Sequence, residues 1–164
     1  MNKQLLSHLE KSAQTKKLEK DLLKKVKRVP KQHVDELFHT EHAEVFNQIN
    51  CLECANCCKT TSPIFTTTDI SRLSKLFKLK TGEFIDRYLQ VDADNDFVLK
   101  SSPCPFLMTD NTCFVYNERP MACREYPHTN RKNMYQILDL TEKNAQICPA
   151  VTIILNRIMV KKAF

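Results

Sequence analysis

Cys51, Cys54, Cys57 and Cys58 fall within one short run, Cys51-Leu-Glu-Cys54-Ala-Asn-Cys57-Cys58, and Cys104, Cys113, Cys123 and Cys148 follow singly. Thiolates at C-x2-C-x2-C spacing can converge on one soft metal ion or one iron–sulfur cluster, because a short loop presents successive sulfurs to a common centre. All eight cysteines are therefore candidate metal ligands. Cys57 and Cys58 are adjacent, and in extended backbone neighbouring side chains point to opposite sides, which suits one tetrahedral ion poorly. Two arrangements follow. The eight sulfurs divide into two sites with Cys57 and Cys58 apart, or one site takes three or four and leaves the rest as buried or redox-active thiols.

The spacing leaves the metal open between zinc and iron. Structural zinc sites usually come as two C-x2-C-like pairs, whereas the later cysteines here are separated by eight, nine and twenty-four residues. Cys51, Cys54 and Cys57 better match three ligands of a [4Fe–4S] cluster, and cysteine–proline pairs stand at Cys104-Pro105 and Cys148-Pro149. Around the later cysteines lie Arg119, Arg124, Tyr126 and His128. Four thiolates on a divalent ion leave a charge near −2, which Arg119 and Arg124 could offset by hydrogen bonds to sulfur or to nearby carbonyls. The alternative role for either arginine is to bind an anionic substrate. His128 is placed to substitute for a cysteine ligand, and Tyr126 can supply a hydroxyl donor.

Composition narrows the setting. The first ten residues lack the continuous apolar core of a signal peptide. No stretch approaches the roughly eighteen apolar residues of a membrane span. The expected location is the cytoplasm, where thiols stay reduced and eight cysteines favour metal over a disulfide framework. Gly82 is the only glycine, which excludes a Walker loop and a dinucleotide fingerprint and disfavours tight two-residue hairpins. Turns must fall to proline and asparagine. Of the net charge of +6, residues 1–33 carry ten Lys/Arg against three Asp/Glu, and residues 34–164 carry fifteen against sixteen.

That split suggests a basic N-terminal helical segment, 1–33, and a cysteine-cluster metal-binding domain, 34–164. The first segment is helical, with Leu5, Leu6, Leu9, Ala13, Leu18, Leu22, Leu23, Val26 and Val29 apolar. Its phase slips across residues 14–17, so it forms either one bent helix or two short ones. Its basic face could meet nucleic acid or an anionic membrane, but a solvated face packed on the domain is the simpler reading. Pro30 breaks the helix. A second helix carries Val34, Leu37, Phe38, Val45, Phe46 and Ile49 to Cys51. His39 and His42 on it read as exposed polar positions.

Thr67, Thr68 and Asp69 resemble a helix start, Thr81 a second, and Cys148-Pro149 a third. Residues 97–99 and 135–140 have strand-like composition and are expected to pair. Asp92, Asp94 and Asp96 lack the glycine and distal glutamate of a calcium loop and read as a solvated turn. The expected fold is mainly α with a small β element, irregular and metal-organised around the cysteines.

Taken together, the CxxCxxCC run, the stretch Cys104-Pro-Phe-Leu…Cys113-x2-Tyr116-x2-Arg119-Pro120-x2-Cys123-Arg124-x-Tyr126-Pro127 and the late Cys148 resemble the YkgJ-type cysteine-cluster family, over about residues 51–149. The resemblance implies zinc or iron chelation by the cysteines acting together. A related domain in bacterial flagellin lysine N-methylases is associated with an iron–sulfur cluster. Many members carry glycine where this chain has Asn56, and asparagine tolerates the left-handed backbone such a loop would need. Three functions are open at this point: a metal- or cluster-binding protein, a zinc-stapled interaction module, and an enzyme related to protein-lysine methylation. The short chain and the absent glycine-rich loop weigh against the last.

Overall fold

The computed structural model describes residues 3–161; the side chain of Leu6, part of the predicted apolar stripe, lies outside the described residues. The chain forms two compact units, one made of residues up to Cys54 together with those from Pro127 onward, the other of Ala55–Tyr126. It is mainly helical, with one two-stranded antiparallel sheet among the described residues.

In the first unit, α1 (Lys3–Val26) is a single continuous helix that closes on Lys24 and Lys25, cations that suit the negative end of its dipole. Pro30 stands just before α2 (Lys31–Phe46), where its fixed φ and missing N–H cost nothing. A single turn, α3 (Cys51–Cys54), follows, and the Asn50 side chain accepts the N–H of Leu52 at 3.0 Å at its start. Helices α8 (Leu138–Ala145) and α9 (Pro149–Lys161) complete the unit, with Pro149 at the first helical position as expected. Helix α9 is the central element, packing against α1, α2 and α8. Its buried Val151, Ile154, Leu155 and Ile158 share a core with Leu22, Val26, Phe38 and Val45. Each such side chain contributes about 2 kcal/mol of transfer free energy.

Two readings from composition are corrected here. Residues 135–140 form no strand: Asp35 accepts the N–H groups of Asn133 and Met134 at 2.8 and 2.7 Å, and a 3-10 turn (Met134–Gln136) leads into α8. His39 and His42 are half-buried rather than exposed. His39 Nε2 donates to the Arg131 carbonyl at 2.9 Å, and His42 Nδ1 lies 2.8 Å from the Thr129 hydroxyl while its ring stacks on Phe46. Both histidines fasten the segment after Pro127 to α2.

The second unit opens with α4 (Asn56–Thr60) and continues through α5 (Thr67–Leu76) and α6 (Thr81–Tyr88). The cap of α5 is Thr66, one residue before the predicted start, in a reciprocal box with Asp69. At α6 the Glu83 carboxylate takes the N–H of Lys80 at 2.9 Å, so the cap is Lys80 and not Thr81. Strands β1 (Leu89–Val91) and β2 (Phe97–Leu99) pair with Leu89 opposite Leu99 and Val91 opposite Phe97. The partner of residues 97–99 is thus β1, which follows α6 directly, and not residues 135–140. Asp92 accepts the amides of Asp94 and Asp96, and Asn95 takes φ 63°, which makes the acidic run the hairpin turn. Asn95, Asn111 and Asn133 all adopt positive φ, the role that glycine plays in most chains. Phe65, Ile70, Leu73, Phe84, Leu89, Leu99, Phe106 and Val115 form the core, and Cys104 and Cys113 pack against its edge.

Candidate metal centre

Cys57 and Cys58 lie on α4, so the premise of an extended backbone at the pair fails. Successive helical residues project about 100° apart, and the two thiols are joined by a side-chain hydrogen bond. The residue that closes the loop is Ala55 at φ 49°, not Asn56, which already begins the helix. An alanine here carries a left-handed backbone that costs roughly 1–2 kcal/mol.

Local hydrogen bonds bring the other sulfurs of this unit toward Cys58. The Cys104 N–H donates to the Cys58 carbonyl at 2.8 Å. From Cys104 the chain runs into a tight loop in which Leu107 bridges Cys113, Met108 N–H bonds Thr112 O at 2.8 Å, and Asp110 accepts the N–H and hydroxyl of Thr112 at 2.9 and 2.7 Å. Asn111, at φ 68°, makes the reversal. Cys123 sits on α7 (Met121–Glu125), its N–H bonded to Pro120 O at 3.0 Å.

The backbone is already arranged around sulfur. Amides of Phe106 and Leu107 donate toward the Cys104 thiol, and the Val115 amide toward that of Cys113. Such N–H···S bonds favour the thiolate. Burial works the other way: it pushes the Cys104 thiol up to about 11 and that of Cys123 to about 12, and raises Cys113 as well. The Cys57 hydrogen bond, helped by the charges of Arg119 and Lys59, outweighs burial at Cys58 and lowers it to about 7. Charge on Cys58 in turn raises Cys104, Cys113 and Cys123. Cys58, Cys104, Cys113 and Cys123 are thus electrostatic neighbours.

Arg119 faces this group. Its charge acts on Cys58, Cys113 and Cys123. The guanidinium lies 3.7 Å from the Tyr116 ring centre, and Nε donates to Tyr116 O at 2.8 Å. Arg124 Nε instead donates to the carbonyl of Arg119 at 2.8 Å, so it holds Arg119 in position. Two residues that the sequence does not connect with the cysteines complete that support. Arg72 Nη2 donates to the Glu118 and Arg119 carbonyls at 3.2 and 2.9 Å, and buried Asp69 pairs with Arg72 at 2.7 Å. The i,i+3 spacing of Asp69 and Arg72 was the available signal. Tyr126 and His128 are half-buried, with the Tyr126 hydroxyl and the His128 Nδ1 shielded from solvent, and His128 takes φ 67°.

The remaining thiols belong to the first unit. Cys51 is exposed at one end of α3, Cys54 is buried at the other, and Cys148 precedes α9. Burial pushes the Cys148 thiol up to about 12, against opposing N–H bonds from Val151 and Ala150, and Cys51 and Cys54 raise it further. Among the described residues, no three or more His, Cys, Asp or Glu side chains are gathered as a metal ion would require.

Residues 50–149 match the family model CxxCxxCC, described as "Putative zinc- or iron-chelating domain". The chain belongs to this family. The matched segment contains all eight cysteines together with Arg119, Arg124, Tyr126 and His128. No curated protein and no solved structure matches the chain. No helix among the described residues is long and apolar enough to cross a membrane.

Proposed function

We propose that this CxxCxxCC protein binds zinc or iron through its cysteines, with Cys58, Cys104, Cys113 and Cys123 forming a four-thiolate centre in the second unit. The observation that carries this reading is the convergence of backbone N–H donors and one cation on sulfurs that burial would otherwise keep protonated. The donor set fits a soft divalent ion or an iron–sulfur cluster. When bound, the metal supplies the positive charge that lets the remaining thiols ionise, and the protein releases their protons. Arg119 offsets the residual negative charge, while Arg72 and Arg124 keep its backbone in place. Tyr126, three residues after Cys123 in the same unit, would serve as a hydroxyl donor.

The size of the second unit supports a metal-dependent fold. At about 70 residues a hydrophobic core alone rarely supplies more than ~3–5 kcal/mol, and small domains commonly add a metal. Here Cys58, Cys104, Cys113 and Cys123 lie on separate loops and short helices that a metal would fasten together. Its role is at least structural; a redox, metal-handling or modification role would be built on the same centre.

Elemental and acid-labile sulfide analysis of anaerobically purified protein, with its absorption spectrum, tests the reading. Zinc alone with a colourless protein assigns a zinc centre. Iron with equimolar sulfide and a broad visible absorption assigns a cluster. Protein that retains neither, and takes up neither on anaerobic reconstitution, overturns the proposal.

A further inference from the structure

We propose that the outward face of α1 is a docking surface for duplex DNA, held through its phosphates and without regard to base sequence.

The charge of the chain is gathered on this one stretch. Residues 16–31 hold eight Lys/Arg against Glu19 and Asp21, which equals the net +6 of the whole chain, and the remaining residues balance at seventeen of each sign. The eight cations are exposed, whereas Glu19 is buried. Lys17, Lys20 and Lys24 follow i, i+3, i+7 and so share one stripe, which Arg28 extends in the closing turn. The Lys24 hydrogen bond and the charges of Lys24, Lys17 and Lys20 together hold the Asp21 carboxyl below its ordinary value.

Fold stability does not account for the stripe. Lys24 and Lys25 complement the helix dipole, but that effect fades beyond the last turn, and Lys16, Lys17 and Lys20 stand before it. Lys16, Lys20 and Lys24 repeat at i,i+4, a like-charge spacing that weakens a helix. Lys24 pairs with Asp21 at 3.0 Å and Lys27 with Asp139 of α8 at 2.7 Å, both exposed pairs that a phosphate can replace.

The surroundings of the face select the partner. A helix that lies on a membrane buries its apolar side in lipid. Here Leu22, Leu23 and Val26 are committed to the core shared with α9, and Leu18 is the only large apolar side chain exposed among the described residues of α1. Single strands are held by stacking on aromatic rings, and residues 1–33 contain no Phe, Tyr or Trp. A duplex backbone, by contrast, offers dense charge to a row of cations. The major groove of B-DNA admits an α-helix, while that of an RNA duplex is deep and narrow. Lysines act as point charges that fix position on the phosphates and read no base.

Fluorescence anisotropy of the full-length protein on a labelled DNA duplex of mixed sequence tests the proposal. Binding should be micromolar at low salt and fall steeply as salt rises. The triple variant Lys17→Gln, Lys20→Gln, Lys24→Gln should bind about 10-fold more weakly, with the slope of log K against log salt flattened by roughly 3. Lys75, Lys100 and Lys132 are exposed elsewhere, and their triple replacement by Gln, which removes the same charge, should change affinity less than about 2-fold. Neither variant removes a thiol, so both should keep wild-type metal content and helical circular dichroism. No binding by wild type at low salt, or equal loss in the two triple variants, overturns the docking surface. Tighter binding to duplex RNA, to a single strand of the same length or to phosphatidylserine vesicles overturns DNA as its partner.

Discussion

The carboxylate of Asp69 accepts the backbone N–H of Met121 at 3.2 Å, and so caps the short helix that carries Cys123. The same carboxylate takes the N–H and hydroxyl of Thr66 and the guanidinium of Arg72, which holds the Glu118 and Arg119 carbonyls. One buried charge thus orders two elements, α5 and the stretch from Glu118 to Cys123. Asp69→Ala removes the buried partner of Arg72, which keeps its pair with Glu118 at 3.0 Å, together with the contacts to Thr66 and Met121, and should cost roughly 2–3 kcal/mol. It should also lower metal retention, because Cys123 loses its support. Thr66→Ala removes the helix cap and one hydroxyl bond to Asp69 but leaves the Arg72 and Met121 contacts, at about 1 kcal/mol, and should leave metal content unchanged. Urea unfolding and elemental analysis of both variants check the contrast. Equal metal loss in the two would mean that α5 stability, and not the Met121 contact, governs the site.

Arg119 supplies the positive charge nearest in effect to three of the four sulfurs. Removing an outer partner of a metal site commonly lowers affinity by about 10–100-fold. Arg119→Gln should therefore weaken Zn²⁺ binding by roughly 10-fold in competition with a chelator. Arg124→Gln should have a smaller effect, since Arg124 touches the Arg119 carbonyl and Arg72 holds the same group. A larger loss from Arg124 than from Arg119 would place the important charge on the wrong residue.

Much of the helical framework is legible because its signals are local. Pro30, Pro149 and the Asp69 box each act within one turn, and the apolar stripe of α9 has the period of a helix. Residues 135–140 mislead because the decisive interaction is distant: Asp35 captures the amides of Asn133 and Met134 across almost a hundred positions of sequence. The CxxCxxCC run identifies the family. The grouping of its members is not legible, since it depends on a helical Cys57–Cys58 pair, on the Cys104–Cys58 backbone bond and on the Leu107–Cys113 bridge. None of these follows from spacing. Asp69 and Arg72 are visible as an i,i+3 pair, yet nothing local indicates that their spare hydrogen-bonding groups reach the segment before Cys123.

Ala55 offers a test that leaves every thiol in place. It holds φ 49° between α3 and α4, in the middle of the cysteine run. Glycine would relieve ~1–2 kcal/mol of left-handed strain and give back about 0.5–1 kcal/mol through the greater freedom of the unfolded chain. Ala55→Gly should therefore stabilise the protein by roughly 0.5–1 kcal/mol at unchanged metal content. Denaturant midpoints measured at equal metal loading check this. A destabilised Ala55→Gly would show that the alanine methyl, which is buried, contributes more by packing than the backbone loses by strain.

Glu41 gives the first unit a pH dependence that can be isolated from the cysteines. Its side chain is buried on α2 and pairs with Arg157 at 2.6 Å and with Lys161, both on α9. Burial alone would raise its pKa, but hydrogen bonds and charge from Lys161 and Arg157 prevail and hold it below the ordinary value of 4.5. A carboxyl whose folded pKa is depressed contributes fully above the unfolded value and loses that contribution as pH falls through the folded one. Glu41→Gln should therefore be less stable than wild type at neutral pH, by about 1–2 kcal/mol given that both cations are half-exposed. The gap should narrow as pH falls below the ordinary value of 4.5 and close as it passes through the lowered folded value. Paired unfolding curves from neutral to acid pH measure the difference directly. A gap that stayed constant into acid would mean that the charge of Glu41 is not what ties α2 to α9, and that its hydrogen-bonding shape is.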